Sequence, residues 1–394
     1  MLTEIQRDQV VELCRALVGS PSTSGHEEGV VAVLKEFFTK HGFDSVHVDR
    51  YGSVIGCIKG SRPGPRLLLD GHIDTVPVGD PAAWTHDPFA GEMADGKLYG
   101  RGTSDMKGAV AAMACAAAHF ARETGRDFAG EIYVAGVVHE ECFEGVAARE
   151  VSAWVKPDYV IIGEASQLDL KIGQRGRAEI VVETFGKPCH SANPEKGINA
   201  VYKMAEVIEA IRTLEPTHHP VLGAGILELT DIKSSPYPGA SVVPEYCRAT
   251  YDRRLLVGET RESVLSPIQA LLEELMARDP ELKVKVSYAR GKELCHTGNE
   301  IEGERFFPGW LFEEDTPFVQ AVYGKLKDMG YDPAITRYNF CTNGSHYAGE
   351  AGIPTLGLGP SRENLAHTVD EYIELDQLVK VCHCYTGVMD ALLK

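Results

Sequence analysis

The sequence predicts an α/β fold: a mixed-sheet domain with helices on both faces, interrupted by an inserted α+β domain. Three observations carry this expectation. A length of 394 residues exceeds what one hydrophobic core usually fills. Apolar strand-like runs alternate with helix-period segments up to Gly173-Gln174-Arg175-Gly176, the pattern of an α/β sheet. The order then becomes β-α-β-β-α-β, as in a small ferredoxin-like domain with one antiparallel sheet, and the α/β character returns after Gly303–Gly309. The first domain is therefore expected over 1–177 and 293–394, and the insert over 178–292.

Thr3 can cap a first helix carrying Ile5, Val10, Leu13, Cys14 and Leu17 at helical spacing. Ser24 and Glu27 form a capping-box pattern for a second, with Val30, Val31, Leu34, Phe37 and Phe38 inside and Gly42 at its end. Strands are expected at Ser45–Val48, Ser53–Ile58, Arg66–Asp70, Glu131–Val138 and Tyr159–Ile162, with an alanine-rich helix at Met106–Phe120. The insert reads as strand Ala178–Thr184, helix Asn199–Thr213, strands Gly225–Ile232 and Tyr246–Leu255, helix Glu262–Ala277 and strand Lys283–Ala289. A helix at Pro317–Met329, a strand at Pro354–Leu358 and a helix at Leu375–Leu393 complete the chain.

A formal charge of −18 argues against nucleic acid and anionic membranes, because phosphate binding needs clustered Lys and Arg. No apolar stretch reaches membrane-spanning length, and Met1–Asp8 lacks the basic and apolar regions of a secretory signal. Ten scattered cysteines without a Cys-x-x-Cys pair suit reduced thiols, so a cytoplasmic location is expected. Cys382-His383-Cys384 falls in a helical segment, where i and i+2 do not share a face, and reads as packing.

The chemistry gathers where strands end. Ile132–His139 is a buried run that delivers Glu140 and Glu141 side by side. Two buried like charges are unfavourable unless a cation or a proton separates their roles. One can bind metal while the other holds a water; an exposed acidic turn, with Glu144 close by, is the plainer reading. His72 follows another strand in Gly71-His72-Ile73-Asp74, and continued strand geometry would put Asp74 on the same side, as the carboxylate partner of a ligating imidazole. Gly100–Gly108 lacks the Gly-Lys-Ser/Thr ending of a phosphate loop; its glycines can carry Asp105 into a crowded site, although Asp105 by itself reads as a helix cap. Glu164 ends a further strand, and His367 precedes the last helix. A two-metal hydrolytic site is the leading expectation.

Taken together and in this order, these motifs resemble the M20 family of metallopeptidases and amidohydrolases, over nearly the whole chain. Asn343-Gly344-Ser345 and Gly359-Pro360-Ser361-Arg362-Glu363 are similar to its YgeY-type members. The resemblance implies one metal on His72 and Glu164, another on Glu141 and His367, and Asp105 bridging both, with Glu140 as general base. It implies two divalent cations, zinc foremost and manganese or cobalt as alternatives, and a cis peptide after Asp105. The insert becomes a lid and dimerisation domain, so a homodimer is expected. Within it His190 would stabilise the oxyanion and Arg254, or its neighbour Arg253, would grip a substrate carboxylate. Asn343, Gly344 and Ser345 match a segment that lines the substrate pocket, with His346 standing where an aspartate is usual. The implied activity is hydrolysis of an amide in a dipeptide or N-acyl amino acid. A non-catalytic ligand-binding protein on the same scaffold and a hydrolase of another C–N bond, such as a carbamoyl group, are the alternatives.

Overall fold

A computed structural model describes residues 2–394. The chain divides into two compact units, Met1–Gln174 with Lys292–Gly303 and Leu311–Lys394, and Arg175–Gly291 with Glu304–Trp310.

The first unit is built on a mixed sheet. Its strands run in the order Ser45–Val48, Val54–Lys59, Ala129–Val137, Arg62–His72, Tyr159–Ile162, Thr355–Gly357 and Leu170–Gln174. The central neighbours are parallel: Arg62–His72 pairs in parallel with both Ala129–Val137 and Tyr159–Ile162, and the latter with Thr355–Gly357. Four carboxyl ends therefore open on one edge, where ligands of α/β sheets are expected. Successive residues of a strand face opposite sides. Asp70 meets Tyr347 and Asn343 on one side, where the Ser345–Glu350 helical turn lies. Gly71 faces the other, where the helix Gly108–Glu123 comes so close that a Cβ would sit 2.7 Å from Val110. That helix is buried from Gly108 to Ala121 and packs on the first and last helices, Glu4–Val18 and Leu375–Leu393. In the last helix Cys382 and Cys384 are buried while His383 hydrogen-bonds Tyr331, as a packing role requires.

Two local expectations change. The Glu28–Lys40 helix has Glu27 at its N-cap and no side-chain cap. Ser24 donates to Asp74 and Glu27 accepts from the Gly25 amide, so neither is left for a capping box. The alanine-rich helix starts at Gly108, not Met106; before it lies a tight turn, Thr103–Lys107, with non-helical backbone at Asp105 and Met106.

The second unit has the expected β-α-β-β-α-β order. Its antiparallel sheet runs Ile226–Ser235, Tyr246–Leu255, Gly176–Phe185, Lys283–Tyr288. Phe306 and Phe307 pair with Ala178 and Arg177, which draws Glu304–Trp310 into this unit. Alternate strand residues (Ala178, Ile180, Val182; Cys247, Ala249, Tyr251) form one core with Met204, Val207 and Ile211 of the helix Ala200–Ile211 and with Val264, Ile268 and Leu272 of the helix Arg261–Arg278.

Candidate active site

The strand Arg62–His72 ends on a buried imidazole. His72 Nδ1 lies 2.9 Å from the Asp74 carbonyl oxygen, which leaves Nε2 facing Asp105 Oδ1 at 2.9 Å and Glu164 Oε1 at 3.5 Å. The Asp74 carboxylate lies 3.6 Å from Nδ1, within ion-pair range of the ring. This carboxylate also accepts three hydrogen bonds. It accepts the Glu140 amide at 3.0 Å, the Glu141 amide at 3.2 Å and the Ser24 hydroxyl at 2.7 Å. Asp74 thus clamps the turn that carries both glutamates. His139 enters that turn with φ of 56°, and both glutamates reach the cluster formed with His72.

Asp105 sits between two imidazoles, Oδ1 at 2.9 Å from His72 Nε2 and Oδ2 at 3.1 Å from His367 Nε2. A cis peptide joins it to Met106. Glu371 accepts the Ser104 amide at 2.8 Å and the Asp105 amide at 3.1 Å, so this turn is held from outside and the Asp105 side chain is free to point inward. His367, with φ of 61°, places Nε2 3.1 Å from Glu141 Oε2. All six side chains singled out in the sequence therefore converge: His72, Glu140 and Glu164 form one group of potential ligands, and His72, Asp105 and Glu141 another, with His367 reaching the latter.

The electrostatics match a site short of positive charge. Burial, then the nearby Asp105, pushes Glu164 up to about 8. Burial and repulsion from Glu164, Glu141 and Glu144 hold Glu140 well above the ordinary carboxylate range. Burial also raises Glu141. Burial works against ionised Asp105 as well, but hydrogen bonds from His367 and His72 outweigh it and hold it low. The same bonds lift His367 to about 10 and His72 well above its usual value despite burial. Clustered carboxyl groups with two imidazoles are a donor set for divalent metal ions. Glu140 Oε1 is buried with no hydrogen-bond partner.

The remaining sequence-predicted residues fall into two groups. Asn343, Gly344 and Ser345 form a buried turn whose side chains face inward. Asn343 donates to Asp70 Oδ1 at 3.1 Å and accepts the Gly145 amide at 3.0 Å. Ser345 Oγ bonds Gln174 at 3.0 Å, and the Gly344 amide bonds Thr342 Oγ1 at 3.0 Å. Asn343 thus fastens the Asp70 strand to the Gly145 loop, its buried amide satisfied at both ends inside the protein. His346 bonds Glu350 at 2.9 Å, which in turn holds Arg149 at 2.9 and 2.7 Å. In the second unit, His190 is exposed, and its Nδ1 accepts the Ala192 amide at 3.0 Å, which puts a donor N–H on the outward Nε2. Arg253 shares the core face of its strand and is buried against Glu259. Arg254 points the other way, 2.8 Å from Asp252.

Sequence reasoning assigned nothing to Glu371 or Asp370, although both stand beside His367, and it spent Ser24 on a helix cap. Their signal was proximity in sequence to a ligand; their partners are far away along the chain.

A mixed α/β sheet that gathers two histidines and four carboxylates at its strand ends defines a metal-dependent hydrolase. The model of peptidase family M20/M25/M40 matches residues 68–391. YgeY of Escherichia coli (strain K12) is 33% identical over 98% of this chain and 96% of its own length. The succinyl-diaminopimelate desuccinylase of Cereibacter sphaeroides (strain ATCC 17025 / ATH 2.4.3) is 31% identical over 96% of this chain and 97% of its own. In fold, aminopeptidase PepT from Bacillus cereus superposes with a TM-score of 0.74 at 19% identity, covering 98% of both chains. The Bacillus subtilis YXEP protein, a dinuclear metal-binding peptidase of the M20 family, gives 0.71 at 14% identity over 98% of this chain and 99% of that one. The chain belongs to the M20/M25/M40 peptidase family and is a metal-dependent amide hydrolase.

Proposed function

We propose that the chain cleaves an amide next to a free carboxylate, in a dipeptide or N-acyl amino acid, with Glu140 as general base. The observation that carries this reading is the buried, unpartnered Glu140 Oε1 beside the histidine–carboxylate cluster. His72 with Glu164, and Glu141 with His367, would each hold one divalent ion, with Asp105 spanning both; zinc fits this donor set, as do manganese and cobalt. Such a pair, when bound, supplies Lewis acidity and an acidified water.

The chain's own residues supply the rest of the proposed chemistry. Asp74 fixes the Glu140 backbone, so the carboxylate needs little reorganisation to take a proton from the attacking water. Glu140 then passes that proton to the departing amine as the C–N bond breaks. The His190 Nε2–H is the donor for the developing oxyanion, and Arg254 is the grip for the substrate carboxylate. Arg253 is committed to Glu259.

Glu140→Gln is expected to lower turnover of dipeptides and N-acyl amino acids by at least about a hundredfold while elemental analysis finds the metal content unchanged. Undiminished turnover in that variant rejects Glu140 as the base.

Homodimerisation belongs to the same reading. The strand Ile226–Ser235 is an edge of its sheet and exposes Ile226 and Ile232, a surface suited to pairing with a second copy. Light scattering should give twice the chain mass; a monomer at micromolar concentration refutes the pairing.

A further inference from the structure

The segment Ala366–Glu371 carries His367 and two acids that the proposed chemistry does not use. Both are tied to distant parts of the first unit, in different directions. Asp370, with φ of 53°, accepts the Thr85 amide at 2.8 Å, the Thr85 hydroxyl at 2.6 Å and the His86 amide at 3.1 Å. Glu371 is fully buried; its carboxylate accepts Arg101 Nη1 at 2.6 Å, the Ser104 amide at 2.8 Å and the Asp105 amide at 3.1 Å. The Glu371 carbonyl also accepts the Gly100 amide at 2.8 Å. Neither carboxylate contacts the histidine–carboxylate cluster directly. Each acts on the backbone that presents a member of it.

The two anchors therefore serve different residues. Glu371 grips the turn of Asp105, which touches both imidazoles. Asp370 grips only the stretch that follows His367, whose Nε2 faces Glu141 and Asp105. His367 is half exposed and takes a left-handed backbone; its imidazole is held by Asp105 and Glu141, and the stretch of backbone that follows it by Asp370.

We propose that Asp370 and Glu371 are positioning residues with separable effects: Glu371 sets both metal positions through Asp105, and Asp370 sets only the His367–Glu141 position. This rests on the two-metal reading above. Carboxylates and amides behind metal ligands typically govern affinity by about ten- to a hundredfold.

The test is metal binding rather than turnover. The full-length apoprotein is titrated with zinc, and separately with manganese, by calorimetry and by equilibrium dialysis with elemental analysis. Wild type is expected to bind two ions. Asp370→Ala should weaken one ion about ten- to a hundredfold and leave the other unchanged. Asp370→Asn, which keeps one acceptor oxygen for the Thr85 and His86 amides, should recover part of the loss. Glu371→Gln turns an amide N–H₂ toward existing donors and should weaken both ions. Circular dichroism of each apoprotein checks folding. Because Arg101 loses its buried partner in Glu371→Gln, the deciding variant is Asp370→Ala, whose anchor lies at the surface. Equal weakening of both ions in Asp370→Ala, or wild-type affinity for both, overturns the proposal. A wild type that binds fewer than two ions instead overturns the two-metal reading, and this proposal with it.

Discussion

At the scale of single residues, this site is built from side chains that hold backbone. Asp74 collects two amides and a hydroxyl, Glu371 two amides and a guanidinium, Asp370 two amides and a hydroxyl. A carboxylate is well suited to this, since its bonds to N–H donors are charge-assisted. Glu350 applies the same device outside the cluster. Burial acts to raise its carboxyl, but bonds from His346 and Arg149 outweigh that and lower it from 4.5 to about 2. A depressed folded value means stabilisation that is present above the ordinary carboxylate range and lost as pH falls toward the folded value. Urea denaturation should therefore show stability falling as pH drops from 4.5 toward about 2, by an amount that solvent screening of this partly exposed carboxylate keeps small. In Glu350→Gln that pH dependence should flatten; an unchanged acid limb would rule this triad out as its source.

At the scale of elements, the strand Arg62–His72 does most to place the chemistry. It supplies His72 at its end, Asp70 to the network with Asn343 and Tyr347, and Gly71 to the contact with Val110 and Met106. Gly71→Ala puts a methyl 2.7 Å from Val110 and 2.8 Å from Met106, next to the cis peptide that follows Asp105. Overpacking of this kind costs about 1–3 kcal/mol. The expected result is a lower thermal midpoint, since the Val110 methyl and the end of the Met106 side chain must give way. A variant as stable as wild type would show that the helix can retreat freely. Elements were also where sequence was easiest to interpret. Tyr159–Ile162, Tyr246–Leu255 and Leu375–Leu393 have the expected bounds, because apolar periodicity and turn residues act locally. The capping box at Ser24 and Glu27 failed for the opposite reason: a residue fifty positions away, Asp74, competes for the same hydroxyl.

At the scale of the whole molecule, the clustered carboxyl groups make stability depend on bound cations. Burial and mutual repulsion raise Glu140, Glu141 and Glu164. A divalent ion binds the folded site and not the unfolded chain, so it stabilises by mass action, by about 2.7 kcal/mol per site at a hundredfold excess over its dissociation constant. Chelation should lower the thermal midpoint, and zinc or manganese added back should restore it. A midpoint indifferent to both would mean that the cluster takes no ion.

Sequence by itself determined the α/β class, the inserted β-α-β-β-α-β unit and the identity of the six clustering residues, because hydrophobic period and residue chemistry are local properties. It also singled out Arg253 and Arg254 as a pair. Only the tertiary structure decided between their environments, since a one-residue step along a strand exchanges core for surface. The same holds for Asn343, whose amide meets Asp70 and Gly145, and for Asp74, whose carboxylate holds the Glu140–Glu141 turn as well as facing His72. Which donor a buried acceptor meets depends on chain segments tens to hundreds of residues apart, and no local pattern encodes that encounter.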